Sequence, residues 1–273
     1  MLPFVSHAPG IAFLDKALFT AYSFRSPSAD RSENDDEAEI PPFEISLSSL
    51  LETLQIFGVN DLTSKDRWST RHGSATSSFE PQKVLGMSGL CRLSYAAVGD
   101  PFCIILEEAG VTTNCELTTY EAPDLEEIPL QKDAIAQKII MRADWLHDAV
   151  QEISTTSPKR LTISSSPQAP FFMLSSTGPL GSATIEFSKD AQLLETFNVP
   201  QPTRNSYKYS LIKGASRAMA AANKVSIRSD EQGVLSLQFM IETEQDGKGP
   251  AFAFVDFRFV PYVDEEEEGD DGS

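Results

Sequence analysis

Apolar and polar positions alternate along the chain in two different rhythms. Apolar residues three and four apart predict short amphipathic helices. Three such stretches stand out: Ser46 to Phe57 (SLSSLLETLQIF), Ala143 to Ile153 (ADWLHDAVQEI) and Tyr209 to Asn223 (YSLIKGASRAMAAAN). Ser46 and Asp144 are placed to cap the first two, because a short oxygen-bearing side chain satisfies N–H groups left open at a helix start. Runs of period-two alternation follow each helix and predict strands. CRLSYAAVGDPFCIILEEAG and TTNCELTTYEAP follow the first; RLTISSSPQ, FFMLSST and SATIEFSKD the second; KVSIRSDEQGVLSLQFMIETEQDG and FAFVDFRFVPYV the third.

The two rhythms form an internal repeat. Phe43-Glu-Ile-Ser-Leu and Tyr207-Lys-Tyr-Ser-Leu open the first and third units, and each unit's last strand runs into a proline, Pro123 or Pro261. The unit is one helix plus about four strands. A middle unit begins near Lys138, so three units are counted where paired domains would hold four. Two units side by side make sheet backed by helices, an α+β arrangement.

Four stretches break the pattern. Residues 26–42 and 63–83 are polar and rich in Ser and charge, 121–132 carries two prolines, and the chain after Val263 is acidic. Such stretches read as surface insertions, a connector and a disordered tail. Charge changes the picture here. The formal net charge is −18 over 273 residues. Asp30 to Glu39 and Asp264 to Asp271 together hold 13 acids against one arginine, so the remainder carries only −6. The acidic balance therefore says little about any one folded face.

Against this background the third helix is basic. On a 100°-per-residue wheel with Lys213 at zero, Arg217 falls near 40° and Lys224 near 20°, while Leu211, Ala215, Met219 and Ala222 fall between about 160° and 240°. The apolar stripe packs on a sheet and the basic stripe points away. Lys208 and Arg204 add charge just upstream, Arg142 opens the second helix, and Lys159 and Arg160 are basic loop residues. A solvated lysine face is one reading; a phosphate-facing surface is the other, since Lys and Arg supply sequence-independent affinity for the DNA backbone. The first helix has no base, and the second turns Asp144, Asp148 and Glu152 outward.

Other chemistry is sparse. Cys91, Cys103 and Cys115 form no CxxC pair, so buried free thiols are expected. His7, His72 and His147 make no cluster. The acids Asp15, Glu52, Asp100, Glu107, Glu108, Asp144, Asp148 and Asp256 form no recognisable two-metal set, and no Gly-rich phosphate loop is present. No cofactor, catalytic residue or metal site is expected, and no apolar run approaches the ~18 residues of a membrane span.

The run YSLIKGASRAMAAANKVSIRSDEQGVLSLQFMI with FAFVDFRFVPY resembles the end of a sliding clamp. IAFLDKALFTAYSF and FEISLSSLLETLQIFG resemble, more narrowly, the Rad-one family of the checkpoint clamp, the nine-one-one complex, a relative of proliferating-cell nuclear antigen. The resemblance covers nearly the whole chain outside the two polar insertions. It implies a DNA-clamp fold: a first domain over 1–120 with insertions at 26–42 and 63–83, a connector at 121–137, a second domain over 138–263 and a tail at 264–273. It implies helices lining a ring around duplex DNA, with Lys213, Arg217, Lys224, Lys208, Arg204 and Arg142 facing it. It further implies two ring partners, Rad-nine-like and Hus-one-like, a clamp loader, recruitment of checkpoint and repair proteins, and a nuclear location. Subunits of clamps join by edge strands, and Cys103 to Glu107 and Ala183 to Phe187 are the candidates. Family members carry a further helix-and-strand unit where this sequence has only MLPFVSHAPG, so the first domain is expected to be incomplete and weakened. Two alternatives remain at this point: a 3′–5′ exonuclease, as some members of the family have been described, and an acidic adaptor without DNA contact.

Overall fold

The computed structural model describes residues 10–23, 42–56, 90–108, 111–122, 127–245 and 248–262. The expected insertion at 63–83 and the expected tail at 264–273 lie outside them, as does nearly all of 26–42. Two compact units are separated at residues 22/23 and 126/127.

The larger unit comprises residues 10–22 and everything from Glu127. Its order is β1 (Gly10–Leu14), a short 3-10 turn (Lys16–Leu18), β7 (Ile135–Arg142), α2 (Ala143–Ser154), β8 (Arg160–Ser165), β9 (Phe172–Gly178), β10 (Gly181–Phe187), β11 (Leu194–Asn198), β12 (Thr203–Lys208), α3 (Tyr209–Gly214), α4 (Ser216–Ala221), β13 (Lys224–Asp230), β14 (Leu235–Gln245) and β15 (Lys248–Phe259). The smaller unit holds β2 (Phe43–Ile45), α1 (Leu47–Ile56), β3 (Leu90–Ser94), β4 (Phe102–Glu108), β5 (Val111–Leu117) and β6 (Thr119–Glu121). Strand, helix, three strands recurs as β2-α1-β3-β4-β5, β7-α2-β8-β9-β10 and β12-α3/α4-β13-β14-β15.

In the larger unit the strand leading into each helix belongs to the other repeat's sheet. A six-stranded antiparallel sheet runs β1-β15-β14-β13-β7-β11, and a four-stranded one runs β10-β9-β8-β12. Thus α2 leaves β7 in the first sheet and delivers the chain to β8 in the second, and α3/α4 cross the other way. One apolar cluster joins all layers. Ile139, Met141, Val225, Ile227, Leu237 and Phe239 come from the first sheet, Leu161, Ile163, Phe172, Leu174 and Tyr207 from the second, and Leu146, Val150, Ile153, Ile212 and Met219 from the helices. Burying such side chains stabilises by about 1.5–3 kcal/mol each. A buried polar bridge also links the sheets: Ser165 Oγ donates to Gln137 Oε1 (2.5 Å), and Thr203 Oγ1 to the same oxygen (3.2 Å).

The segment after the connector is fixed by two charged side chains. Arg258 donates to the Ile128 carbonyl at 2.7 Å and is held in turn by Asp256. Asp230, 1% exposed, accepts N–H groups from Gln131 (3.1 Å), Gln232 (3.1 Å) and Val234 (2.9 Å). These bonds shape the β13–β14 turn, where Gly233 takes a positive φ of 79° that side-chain-bearing residues rarely adopt. The Tyr207 hydroxyl donates to the Gly233 carbonyl (2.7 Å). Burial, with a smaller contribution from the Asp230 carboxylate, pushes the Tyr207 phenol above its ordinary value and keeps it a donor.

Several expectations need correction. The third helix is two, because Gly214 is a poor helix former and the Ser216 hydroxyl takes up the Lys213 carbonyl (2.5 Å). Ala215, 1% exposed, sits at the break and keeps both halves on the core. Asp144 does not cap α2; Arg142 occupies the cap position and its side chain makes no capping bond, and Asp144 lies in the first turn. Ser46 does cap α1, accepting from Ser49 N (3.3 Å). Residues 10–14, placed by sequence in the first domain, pair antiparallel with β15. β7 begins at Ile135, inside the expected connector.

In the smaller unit β3-β4-β5 form one sheet and β2-β6 another. Ile104 and Leu117 are buried there, while Leu47, Leu51, Leu93, Val98, Val111 and Tyr120 are exposed. Cys91 is exposed and Cys103 and Cys115 are half-buried, correcting the expectation of buried thiols. The three-stranded sheet is too thinly covered to enclose them.

Replacing Asp230 with Ala leaves three backbone N–H groups without their acceptor. Equilibrium urea unfolding is expected to show a loss of about 2–4 kcal/mol, whereas a loss below 0.5 kcal/mol would remove this carboxylate from the account.

Candidate nucleic-acid interface

Because α2 and α3/α4 cross between the same two sheets, they lie side by side. The Tyr209 hydroxyl on α3 donates to the Val150 carbonyl on α2 (3.0 Å), and Ala143 N at the start of α2 donates to the Asn223 carbonyl just beyond α4 (3.2 Å). Their apolar sides enter the common core and their polar sides form one outward face. On α2 that face carries Asp148, Gln151 and Glu152, all exposed, and half-buried Asp144; on α3/α4 it carries Ser210, Lys213 and Arg217, all exposed. One helix is acidic, the other basic.

The six candidate contact residues divide into three groups. Lys213 and Arg217 stay on one side of the split helix, and no carboxylate lies within ion-pair reach of either among the described residues. Lys224 and Arg142 are instead engaged internally. Lys224 is not helical; it opens β13, and its Nζ pairs with Glu195 on β11 at 2.8 Å. The wheel misplaced it because the helix ends at Ala221. Arg142 forms a bidentate pair with Asp144 and lies 5.1 Å over the Trp145 ring. Lys208 and Arg204 are exposed on β12. Arg204 alternates with core-facing residues and so lies on the face of its sheet turned away from the core.

That outer sheet face carries a feature that sequence reasoning missed. A cleft of about 460 Å³ is lined by Lys159, Arg160, Arg204 and the hydroxyls of Thr162, Ser175, Thr184 and Ser206, among others. In register, Thr184 faces Ser175, Ser175 faces Thr162, and Thr162 faces Ser206, so four hydroxyls cross all four strands in one row. The signal was present in β8, β9 and β10 as small polar residues alternating with Leu, Ile and Phe. It becomes a surface only once the register is known.

Among the described residues no three His, Cys, Asp or Glu side chains come together as a metal-holding group. Asp144 pairs with Arg142, and Asp256 accepts from Ser236 Oγ (2.7 Å). No described helix is long and apolar enough to cross a membrane.

Lys213→Glu with Arg217→Glu is expected to leave the urea-unfolding free energy within about 0.5 kcal/mol of the parent chain, since both side chains project into solvent. Ala215→Leu, inside the core between them, is expected to cost about 1–3 kcal/mol by overpacking. The opposite ranking would mean that the faces are wrongly assigned.

Comparison with known proteins agrees with this architecture of antiparallel sheets and crossing helices. The family model described as repair protein Rad1/Rec1/Rad17 matches residues 6–241. The chain is 34% identical to the DNA damage checkpoint control protein rad1 of Schizosaccharomyces pombe over 260 residues, 94% of this chain and 75% of that protein. It is 34% identical to the human cell cycle checkpoint protein RAD1 over 225 residues, 82% of this chain and 70% of that protein. The DNA repair protein Rad1 of Drosophila melanogaster is 25% identical over 177 residues, 63% of each. A match across most of the chain, on a fold of the sliding-clamp kind, makes this chain a member of the Rad1/Rec1/Rad17 repair-protein family.

Proposed function

We propose that the chain is a non-catalytic subunit of a checkpoint clamp: a heterotrimeric ring that encircles duplex DNA at damaged or recessed sites, signals the DNA-damage checkpoint and gathers repair enzymes. Family membership supports the checkpoint role, since the relatives over most of the chain are named checkpoint control proteins. The observation that carries DNA contact is the pair Lys213 and Arg217, exposed on α3/α4 with no carboxylate in reach among the described residues. Among the described residues neither lies over an aromatic ring, so contact is with phosphates and independent of sequence. The acidic face of α2 beside them keeps that contact weak, as sliding requires.

Ring closure follows from edges. β10 has a single strand neighbour, β9, and β5 has a single one, β4, among the described residues. Both are the third strand of their repeat, and both show the same alternation of exposed and buried positions. An edge strand with open N–H and C=O groups accepts a further strand from another chain. Ala183 to Phe187 therefore remains a joining segment on one side. Cys103 to Glu107 does not: it lies in β4, paired on both sides, and β5 takes its place. The two ring partners are Rad-nine-like and Hus-one-like subunits, a dedicated loader opens the ring, and the complex works in the nucleus.

Co-expression with the two partner subunits tests the reading. A stable three-chain complex is expected by native mass spectrometry. Lys213→Glu/Arg217→Glu is expected to preserve the complex while lowering its retention on end-blocked DNA about tenfold at physiological salt. Unchanged retention would sink the DNA-facing assignment, and failure of three chains to assemble would sink the clamp.

A further inference from the structure

We propose that the acidic stretch Asp264 to Asp271 docks on the basic, hydroxyl-floored cleft of the β10-β9-β8-β12 sheet, making that outer face an intramolecular site for an acidic peptide. The cleft is not part of the helix face assigned to DNA. α3 and α4 pack on the core side of the sheet, and Arg204 and the hydroxyl row lie on its other side.

The first observation is where the described chain leaves the fold. Tyr262 N donates to the Ser206 carbonyl at 2.7 Å, so the chain runs alongside β12, the edge strand of this sheet. The Arg160 guanidinium lies 4.2 Å over the Tyr262 ring. Ser206 and Arg160 both line the cleft. The last described residue is thus clamped at the cleft's rim by backbone and side chain together.

The second observation is charge. Lys159, Arg160 and Arg204 line the cleft, and Lys208 stands beside Arg160 in register. Among the described residues of these four strands the carboxylate on this face is Glu186, exposed on the far edge strand β10. The residues that follow Tyr262 read VDEEEEGDDGS, with seven acids and no base in positions 264–271. Such a run is costly to pack in a core and repels itself, but it complements a face with three or four fixed cations.

The third is reach. Adjacent strands lie ~4.8 Å apart, so the span from β12 to β10 is ~14 Å. Five extended residues cover ~16 Å. A segment the length of residues 263–267 is therefore long enough to span the hydroxyl row from β12 to β10, with Arg204 to one side of the row and Lys159 and Arg160 to the other. The floor suits an acidic occupant. Thr162, Ser175, Thr184 and Ser206 offer O–H donors to carboxylate oxygens and no bulk to push them out. Each exposed ion pair is weak, but tethering at Tyr262 holds the tail at an effective concentration on the order of millimolar. Docking is thus partial, reversible and sensitive to salt. Its consequence is to cover the cations of the outer sheet face while Lys213 and Arg217 on the helix face stay open.

The test uses the isolated full-length chain, with no DNA or partner subunit, so it is independent of the clamp reading. Zero-length carbodiimide coupling followed by mass spectrometry is expected to join tail carboxylates to Lys159 and Lys208 at least fivefold more often than to Lys213, which is also exposed. Raising NaCl from 50 to 500 mM is expected to erase that preference. A labelled peptide of residues 263–273 is expected to bind a chain ending at Tyr262 at least tenfold more tightly than it binds the full chain. Lys159→Glu/Arg204→Glu, both surface changes, are expected to abolish that binding. Coupling spread evenly over Lys159, Lys208 and Lys213, or peptide binding that ignores the tail and the two charge reversals, would overturn the proposal.

Discussion

The crossing of each helix from one sheet to the other is the constraint on which the larger unit depends. β7 hands its chain through α2 to β8 in the opposite sheet, and β12 hands its chain through α3/α4 to β13 in the first. Neither sheet is complete without a strand from the other repeat, so the two halves interlock. The helices are left with one place to go, side by side above the seam, where their apolar faces enter the core shared by both sheets. That arrangement turns an amphipathic pattern in sequence into a single helical surface.

Electrostatics then sorts the basic residues by what they touch. Arg142 and Lys224 are engaged by Asp144 and Glu195 and contribute to local order, at the modest level expected of exposed pairs. Lys213 and Arg217 meet no carboxylate of the described fold, and a long-range field from the chain's acids is screened within about 8–10 Å at physiological salt. A strongly acidic protein can therefore present a locally cationic helix. Arg204 lies beyond the sheet, with Lys159 and Arg160, on a surface of different character. A residue's charge did not tell which face it belonged to; its strand register did.

Much of this was legible before any coordinates. Strand runs such as RLTISS and FFMLSST alternate strictly because one face packs and the other is wet, and they fell where expected. The repeat was visible because Phe43-Glu-Ile-Ser-Leu and Tyr207-Lys-Tyr-Ser-Leu share spacing and residue type ahead of their helices. Other elements were hidden for physical reasons. β12 (TRNSYK) buries little beyond Tyr207 and so carries no apolar alternation to mark it as a strand. β7 (IAQKIIMR) runs into α2 without a break, because Arg142 supplies no capping signal. The split at Ala215 was masked by alanines that favour helix everywhere around it, and so Lys224 was carried onto a helix that had already ended. Edges are set by pairing, which no single strand announces; β4 looked like β10 in sequence but has a neighbour on each side.

We propose that the α3/α4 side of this unit is turned toward a threaded duplex. A density map of the assembled three-subunit ring on DNA tests it most directly. The account predicts Lys213 Nζ and the Arg217 guanidinium within salt-bridge range of the phosphate backbone, with the Thr162–Ser206 hydroxyl row on the ring's outer surface. A ring whose bore is lined by that hydroxyl row, with Lys213 and Arg217 outside, would contradict it.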